Sequence, residues 1–353
     1  MALSATIVAA TLAPLSGSSI ASASPTVGHR GAIRVLATDR SYVVYVRYPR
    51  ATNGEVDHTA GTMYERTAAG VTHSLGSIDT SKWNADTDGL FSLAGPMLTI
   101  LDPTEAIDWW NLDTRTHGTT DLPTDAAYLS TASPSGWLFV SLATPNDGSA
   151  MVIHQQATNG TVTRFAAPFG QPTGHQVETA PGPGGVLAVD DPAGTIDYLP
   201  WDKPNHRTHV KNPHKATSDL TCTGVTVQVA RCAISYDKGD NGFNAHYDEV
   251  IFLDGHHNAV QTGALITSSK VAALRHHGSI SATGRGLAVV GHDGHIYTLS
   301  YRGHTVHRAH GRVPRSATLV PGYRGIIVRT PSRIAYLARP SGHVTRIARA
   351  PSS

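Results

Sequence analysis

Residues 284–300 read GRGLAVVGHDGHIYTLS. A glycine-bounded turn leads into the apolar run Leu287–Val290. The turn Gly291–His295 follows, with Asp293 between His292 and His295, and a second apolar strand opens at Ile296. The same order recurs along the chain: an apolar strand, a turn often carrying Asp, a second apolar strand, then a polar or Gly-containing turn and a more polar strand. Counting from the start of each unit, the third strand begins near Met63, Ile107, Met151, Ile196, Val250, Ile296 and Ile334. These marks are 44, 44, 45, 54, 46 and 38 residues apart.

A strand-rich repeat with a period near 45 is the signature of a propeller blade, because one such unit cannot bury both of its apolar faces alone. The expectation is an all-β fold: a seven-bladed β-propeller with four antiparallel strands per blade, forming a single domain over residues 32–353. Segments rich in Val, Ile, Thr and Tyr, bounded by Gly, Pro, Asn and Asp, supply the strands. SPSG at Ser133, GPGG at Gly182, ATGRG at Ala282 and PGYRG at Pro321 precede the inner strands. Glycine is expected there to supply positive φ, and proline to set the approach. Trp109 and Trp110 lie in a strand and read as packing between units.

GRGLAVVGHDGHIYTLS and SPSGWLFVSLA (133–143) resemble blades of the WD40, TolB and quinoprotein-type propellers. Leu299-Ser300 stands where a WD40 blade closes on Trp-Asp, and the quinoprotein Thr-Gly-Lys turn with its closing Trp has no counterpart. The resemblance implies a propeller architecture and carries over no catalytic residue.

Ala5–Leu15 (ATIVAATLAPL) has the length and apolarity of a signal h-region, and Ala21-Ser22-Ala23 is a small-x-small cleavage site. No Lys or Arg precedes Arg30. Residues 1–23 are read as a signal peptide, 24–31 as a linker, and the protein as secreted to the extracellular space. No apolar run is long enough to span a bilayer. Cys222 and Cys232 flank the strand-like TGVTVQVAR. In an exported chain this even, short-range pair reads as a disulfide.

The chain carries 28 Lys and Arg against 26 Asp and Glu, a net charge of +2. The balance is uneven: every acid lies at or before Asp293, and ten arginines follow it. A one-sided field favours an anionic partner such as a wall polymer, a lipid surface or nucleic acid, although solvated outer strands account for the same pattern. No motif indicates specific nucleic-acid recognition.

Acids recur in the turn between the second and third strands. Asp57, Asp102, Asp147, Asp190, Asp237 and Asp293 fall there in six units, and Arg329 and Arg333 replace them in the seventh. On one rim these carboxylates form a ligand-binding surface, and calcium or another divalent cation is the cofactor they would take. Aspartate also holds turns by bonding its own backbone, which accounts for the same positions without a ligand. His292, Asp293 and His295 flank one tight turn and offer two imidazoles and a carboxylate to a metal. The loop DKGDNGFNAHYD adds Asp240 and Asp248, but Gly239 stands at the third position of a calcium loop. There is no G-x-S-x-G, H-E-x-x-H or phosphate loop. The resulting expectation is a monomeric binding or interaction module for an extracellular protein, glycan or wall polymer. The alternative is a metal-assisted lyase or hydrolase acting at the acidic rim.

Overall fold

The computed structural model describes residues 31–39, 41–81, 91–101, 106–142, 151–169, 177–181, 185–190, 195–206, 208–211, 219–226, 229–237, 247–254, 280–283, 286–291, 293–300, 306–322, 325–339 and 341–351. The expected signal peptide and all but the last residue of the linker lie outside them.

All regular structure among these residues is β-strand, in seven antiparallel sheets. Sheet 1 holds β1 (Ala32–Thr38), β2 (Tyr42–Tyr48), β3 (Gly61–Thr67) and β4 (Thr72–Ile78). Sheet 2 holds β5 (Phe91–Ala94), β6 (Met97–Leu101), β7 (Ala106–Asn111) and β8 (Thr116–Asp121). Sheet 3 holds β9 (Ala126–Ser133), β10 (Gly136–Leu142), β11 (Met151–Ala157) and β12 (Val162–Phe169). Sheet 4 holds β13 (Val177–Pro181), β14 (Gly185–Asp190), β15 (Thr195–Pro200) and β16 (Thr208–Lys211). Sheet 5 holds β17 (Asp219–Thr226), β18 (Val229–Asp237) and β19 (Tyr247–Asp254), three strands among the described residues where four were expected. Sheet 6 holds β20 (Ile280–Thr283), β21 (Gly286–Val290), β22 (Ile296–Ser300) and β23 (Val306–Arg308). Sheet 7 holds β24 (Thr318–Gly322), β25 (Gly325–Thr330), β26 (Arg333–Leu337) and β27 (Val344–Arg349). Each sheet is a meander of sequence neighbours. The seven residues that mark the repeat all fall on third strands.

Strand order within a sheet follows apolarity. The second strand is nearly continuous in buried residues: Val43, Val44, Tyr45, Val46 and Tyr48 in β2, and Gly325–Val328 in β25. A strand covered on both faces reads this way. The fourth strand is polar, as in THGTTD of β8 and THSLGSI of β4, and lies at the exposed edge. Apolar side chains from facing sheets fill the spaces between them. Leu36, Val44, Val46 and Met63 pack on Leu93, Leu98 and Ile100 of sheet 2. Leu138, Val140 and Ile153 pack on Val186 and Leu199 of sheet 4. Ala288, Val290 and Ile296 pack on Leu319, Ile326 and Val328 of sheet 7.

The first strand of each sheet lies against the first strand of the next, and β1 also lies against β24, β25 and β26 of sheet 7. There Ile33, Val35, Val43 and Tyr45 share a core with Ile327, Ile334, Ala348 and Ala350. The Ile33 N–H donates to Pro331 O at 3.0 Å, and the Gly31 N–H to Pro351 O at 3.2 Å. Polar ties reinforce the packing. Fully buried Trp137 donates its Nε1–H to Gln156 Oε1 at 2.8 Å, and the Gln156 amide donates to Asp121 O at 3.2 Å. As expected, Trp110 packs on the core between sheets 1 and 2; Trp109 instead lies over Gly118 of β8 and donates to Thr120 in its own sheet.

Two of the turn glycines correct the expectation. Gly136 and Gly325, in SPSG and PGYRG, do not have positive φ. They are needed because the third strand passes too close. A Cβ at Gly136 would lie 2.0 Å from Gln156 O, and one at Gly325 would lie 2.4 Å from Leu337 O. Close approach of backbone, not left-handed geometry, excludes a side chain there.

Candidate functional site

The connections within the sheets differ in length. All seven connections between first and second strands span only two or three residues. The second-to-third connections vary widely: 49–60 in sheet 1, 143–150 in sheet 3, 238–246 in sheet 5, and only 331–332 in sheet 7. Long, varied connections on rigid strands are where a scaffold places recognition.

The first long connection is held by its own polar groups. Arg50 and Val56 form an isolated bridge, and Asn53 Nδ2 donates to Glu55 Oε2 at 3.0 Å. Half-exposed Asp57 accepts from the Thr59 N–H at 2.9 Å and the Thr59 hydroxyl at 2.6 Å through one oxygen. These Thr59 bonds hold its carboxyl below the usual range. Asp293 is used in the same way. One oxygen accepts the His295 N–H at 3.0 Å, and the other accepts the Tyr297 hydroxyl at 2.7 Å. Burial pushes the Asp293 carboxyl up, but the Tyr297 and His295 bonds outweigh it, and the net shift is downward. Gly294 completes this turn at φ +79°, and its carbonyl accepts from the Val313 N–H at 2.7 Å. Both side chains therefore serve their turns by the local bonding that makes Asp a turn residue.

His295 has a buried Nδ1 without a partner, and its Nε2 lies 3.4 Å from Arg312 Nε. Among the described residues no group of three or more His, Cys, Asp or Glu is arranged to hold a metal. His292, Asp240, Asp102 and Asp147 lie outside the described residues. Asp102 and Asp147 fall in the chain between β6 and β7 and between β10 and β11. Asp190 ends β14 opposite Thr195, Asp237 ends β18 opposite Tyr247, and Asp248 lies in β19. Cys222 and Cys232 are directly opposed in the β17–β18 register.

An ionisable cluster that periodicity does not announce lies at the other end of sheets 1 and 2. Asp39, in the β1–β2 turn, accepts the Ser41 and Tyr42 N–H groups at 2.6 and 2.7 Å. Burial pushes its carboxyl up to about 6 in spite of these bonds. The Tyr42 hydroxyl donates to Asp113 in the β7–β8 turn; burial and the Asp113 carboxylate push that phenol upward. Glu65, buried on β3, meets His73 Nδ1 at 2.7 Å, and the far nitrogen of His73 meets the Arg115 guanidinium at 2.9 Å. Arg115 has φ 57°, the one positive value among the described non-glycine residues. The chain Glu65–His73–Arg115 links the two sheets and fixes the imidazole from both sides. In sequence these are ordinary turn and strand residues, and only sheet stacking brings them together.

The sequence matches no family and no curated relative. Among solved structures the chain is similar to Kluyveromyces lactis Hsv2 with its complete loop 6CD: TM-score 0.49, 8% identity, covering 86% of this chain and 93% of that one. It is also similar to Saccharomyces cerevisiae Sqt1, at TM-score 0.44 and 11% identity over 90% of this chain and 87% of that one. BamB from Moraxella catarrhalis gives TM-score 0.39 and 10% identity over 86% and 81%. These neighbours are WD40- and propeller-type proteins, and the likeness is one of architecture.

Proposed function

We propose that the chain is a seven-bladed propeller exported as a binding module, with its contact face on the rim that carries the second-to-third connections. One observation carries this reading: the first-to-second connections span two or three residues and the third-to-fourth connections four to seven, while the second-to-third connections at the opposite end reach twelve. Packing of sheet 1 on sheet 7 supports closure of the ring. The partner class is an extracellular protein, glycan or wall polymer. The metal-assisted lyase or hydrolase gains no support, since the described acids Asp57 and Asp293 hold turns. Export is consistent with a Cys222–Cys232 bridge, because directly opposed antiparallel residues lie within disulfide reach.

The test is site-directed photocrosslinking in culture. A crosslinker at exposed Asn53 or Ser332 should capture a discrete partner, and one at exposed Ala69, in a turn at the other end of sheet 1, should not. Capture from Ala69 alone, or from none of the three, refutes the assignment of the face.

A further inference from the structure

The last two strands of sheet 7 set two arginines against each other. Arg333, the first residue of β26, and Arg349, the last of β27, are direct partners in the antiparallel register. Directly opposed residues share a face and bring their Cβ atoms to about 5 Å. Two residues further along β26, Ala335 is opposed by Arg346. That step puts a third guanidinium group on the same face, about 7 Å along the strand. Arg346 and Arg349 are exposed, and Arg333 is partly exposed. Val328, Ala335 and Leu337 of this face pack on sheet 6. The three arginines therefore stand beside that interface, toward the end of the sheet that carries the 331–332 connection.

Like charges directly opposite each other destabilise a sheet, and no acid in the last repeat offsets this pair. Residues 294–353 hold ten arginines, no lysine and no acid. Asp293, the last acid in the chain, spends both carboxylate oxygens on its own turn, on the His295 N–H and the Tyr297 hydroxyl. The Thr330 hydroxyl beside Arg333 bonds the Arg333 backbone. None of the three guanidinium groups has a hydrogen bond or ion pair among the described residues. Exposed Arg315, on the segment that joins sheet 6 to sheet 7, extends the positive field. An anion held between Arg333 and Arg349 turns their repulsion into attraction. A phosphate accepts from two guanidinium forks at once through oxygens that point apart, whereas a planar carboxylate offers both oxygens to one fork. No aromatic side chain lies beside the arginines on this face to stack a base. We propose that Arg333, Arg349 and Arg346 bind successive phosphate groups of an extracellular wall polymer linked by phosphodiesters. The proposal rests on the rim being the contact face, and it names the chemistry of the partner there.

Calorimetry of the full chain with poly(glycerol phosphate), against polygalacturonate and a single-stranded oligothymidylate at equal charge concentration, tests the proposal. Poly(glycerol phosphate) should bind saturably and tightest of the three, and its affinity should fall as salt is added. Arg333→Gln and Arg349→Gln should each weaken binding about tenfold, and Arg346→Gln several-fold. Arg339→Gln removes the same charge from the exposed β26–β27 turn at the opposite end of the sheet and should leave binding unchanged. Without polymer, Arg349→Gln should raise Tm at low salt, because the like-charge pair is gone. Absence of saturable binding, equal weakening by Arg339→Gln, or equal or tighter binding of either control polymer overturns the proposal. The two readings can fail separately. Crosslinked capture at Asn53 and Ser332 without polymer binding overturns this one and leaves the contact face. Arginine-dependent polymer binding without capture upholds this one and refutes the face drawn from the long connections.

Discussion

Asp39→Asn should make this protein more stable at neutral pH and leave it unchanged in acid. Asp39 sits in a three-residue turn, where one carboxylate oxygen accepts two backbone N–H groups. Burial nonetheless lifts its pKa from 3.8 to about 6, with the Asp113 charge adding to the rise. Between these values the folded chain holds a proton that the unfolded chain has lost. The stability tied to that proton is fully present below pH 3.8 and is lost as the pH rises through about 6. At about 1.4 kcal/mol per pKa unit, the ionised carboxylate costs the fold at most about 3 kcal/mol at pH 7.5. Asp39 keeps a partly exposed edge, which lowers the expectation to about 2 kcal/mol. Asparagine retains the acceptor oxygen and carries no charge, so both turn bonds survive. Urea unfolding at pH 7.5 should therefore give a higher midpoint with an unchanged m-value, and the gain should vanish near pH 4. An equal gain at both pH values, or a loss at pH 7.5, refutes burial of the ionised carboxylate as the cause.

Gly136→Ala should destabilise by about 2–3 kcal/mol in the same assay, because the added methyl meets Gln156 O and overpacks a buried strand. Gln156→Leu leaves the buried Trp137 N–H without its acceptor and should cost about 1–3 kcal/mol, with a changed tryptophan emission. Cys222 and Cys232 should resist alkylation in unreduced exported protein, and reduction should cost about 2–3 kcal/mol for so short a loop. A circular permutant joining residue 351 to residue 31 through a short linker and opened within 212–218 should fold with a two-state transition close to that of the parent, since Gly31 and Pro351 are hydrogen-bonded. Failure to fold counts against ring closure.

The amino-acid pattern by itself determined the repeat. Second strands such as YVVYVRY (42–48) and GIIVRT (325–330), each followed by a turn and a third strand, were legible because burial on two faces leaves a nearly continuous apolar run. The same local chemistry made Asp57 and Asp293 readable as turn residues, since an Asx bond closes within two residues of its own backbone. The opposition of Cys222 and Cys232 followed from a hairpin of fixed period. What only the tertiary structure decided is which units meet and what their meeting does to charge. Gly136 and Gly325 looked like left-handed turn residues, but their need comes from a neighbouring strand's carbonyl. Asp39, Tyr42 and Asp113 become one group through the stacking of sheet 2 on sheet 1, and the carboxyl of Asp39 rises because that stacking removes water. Arg34 and Arg329, separated by nearly the whole chain, line one pocket because the last sheet packs on the first. Periodicity reports how each strand is covered. It carries no record of which side chains from different sheets share a space, and that is where desolvation and paired charges arise.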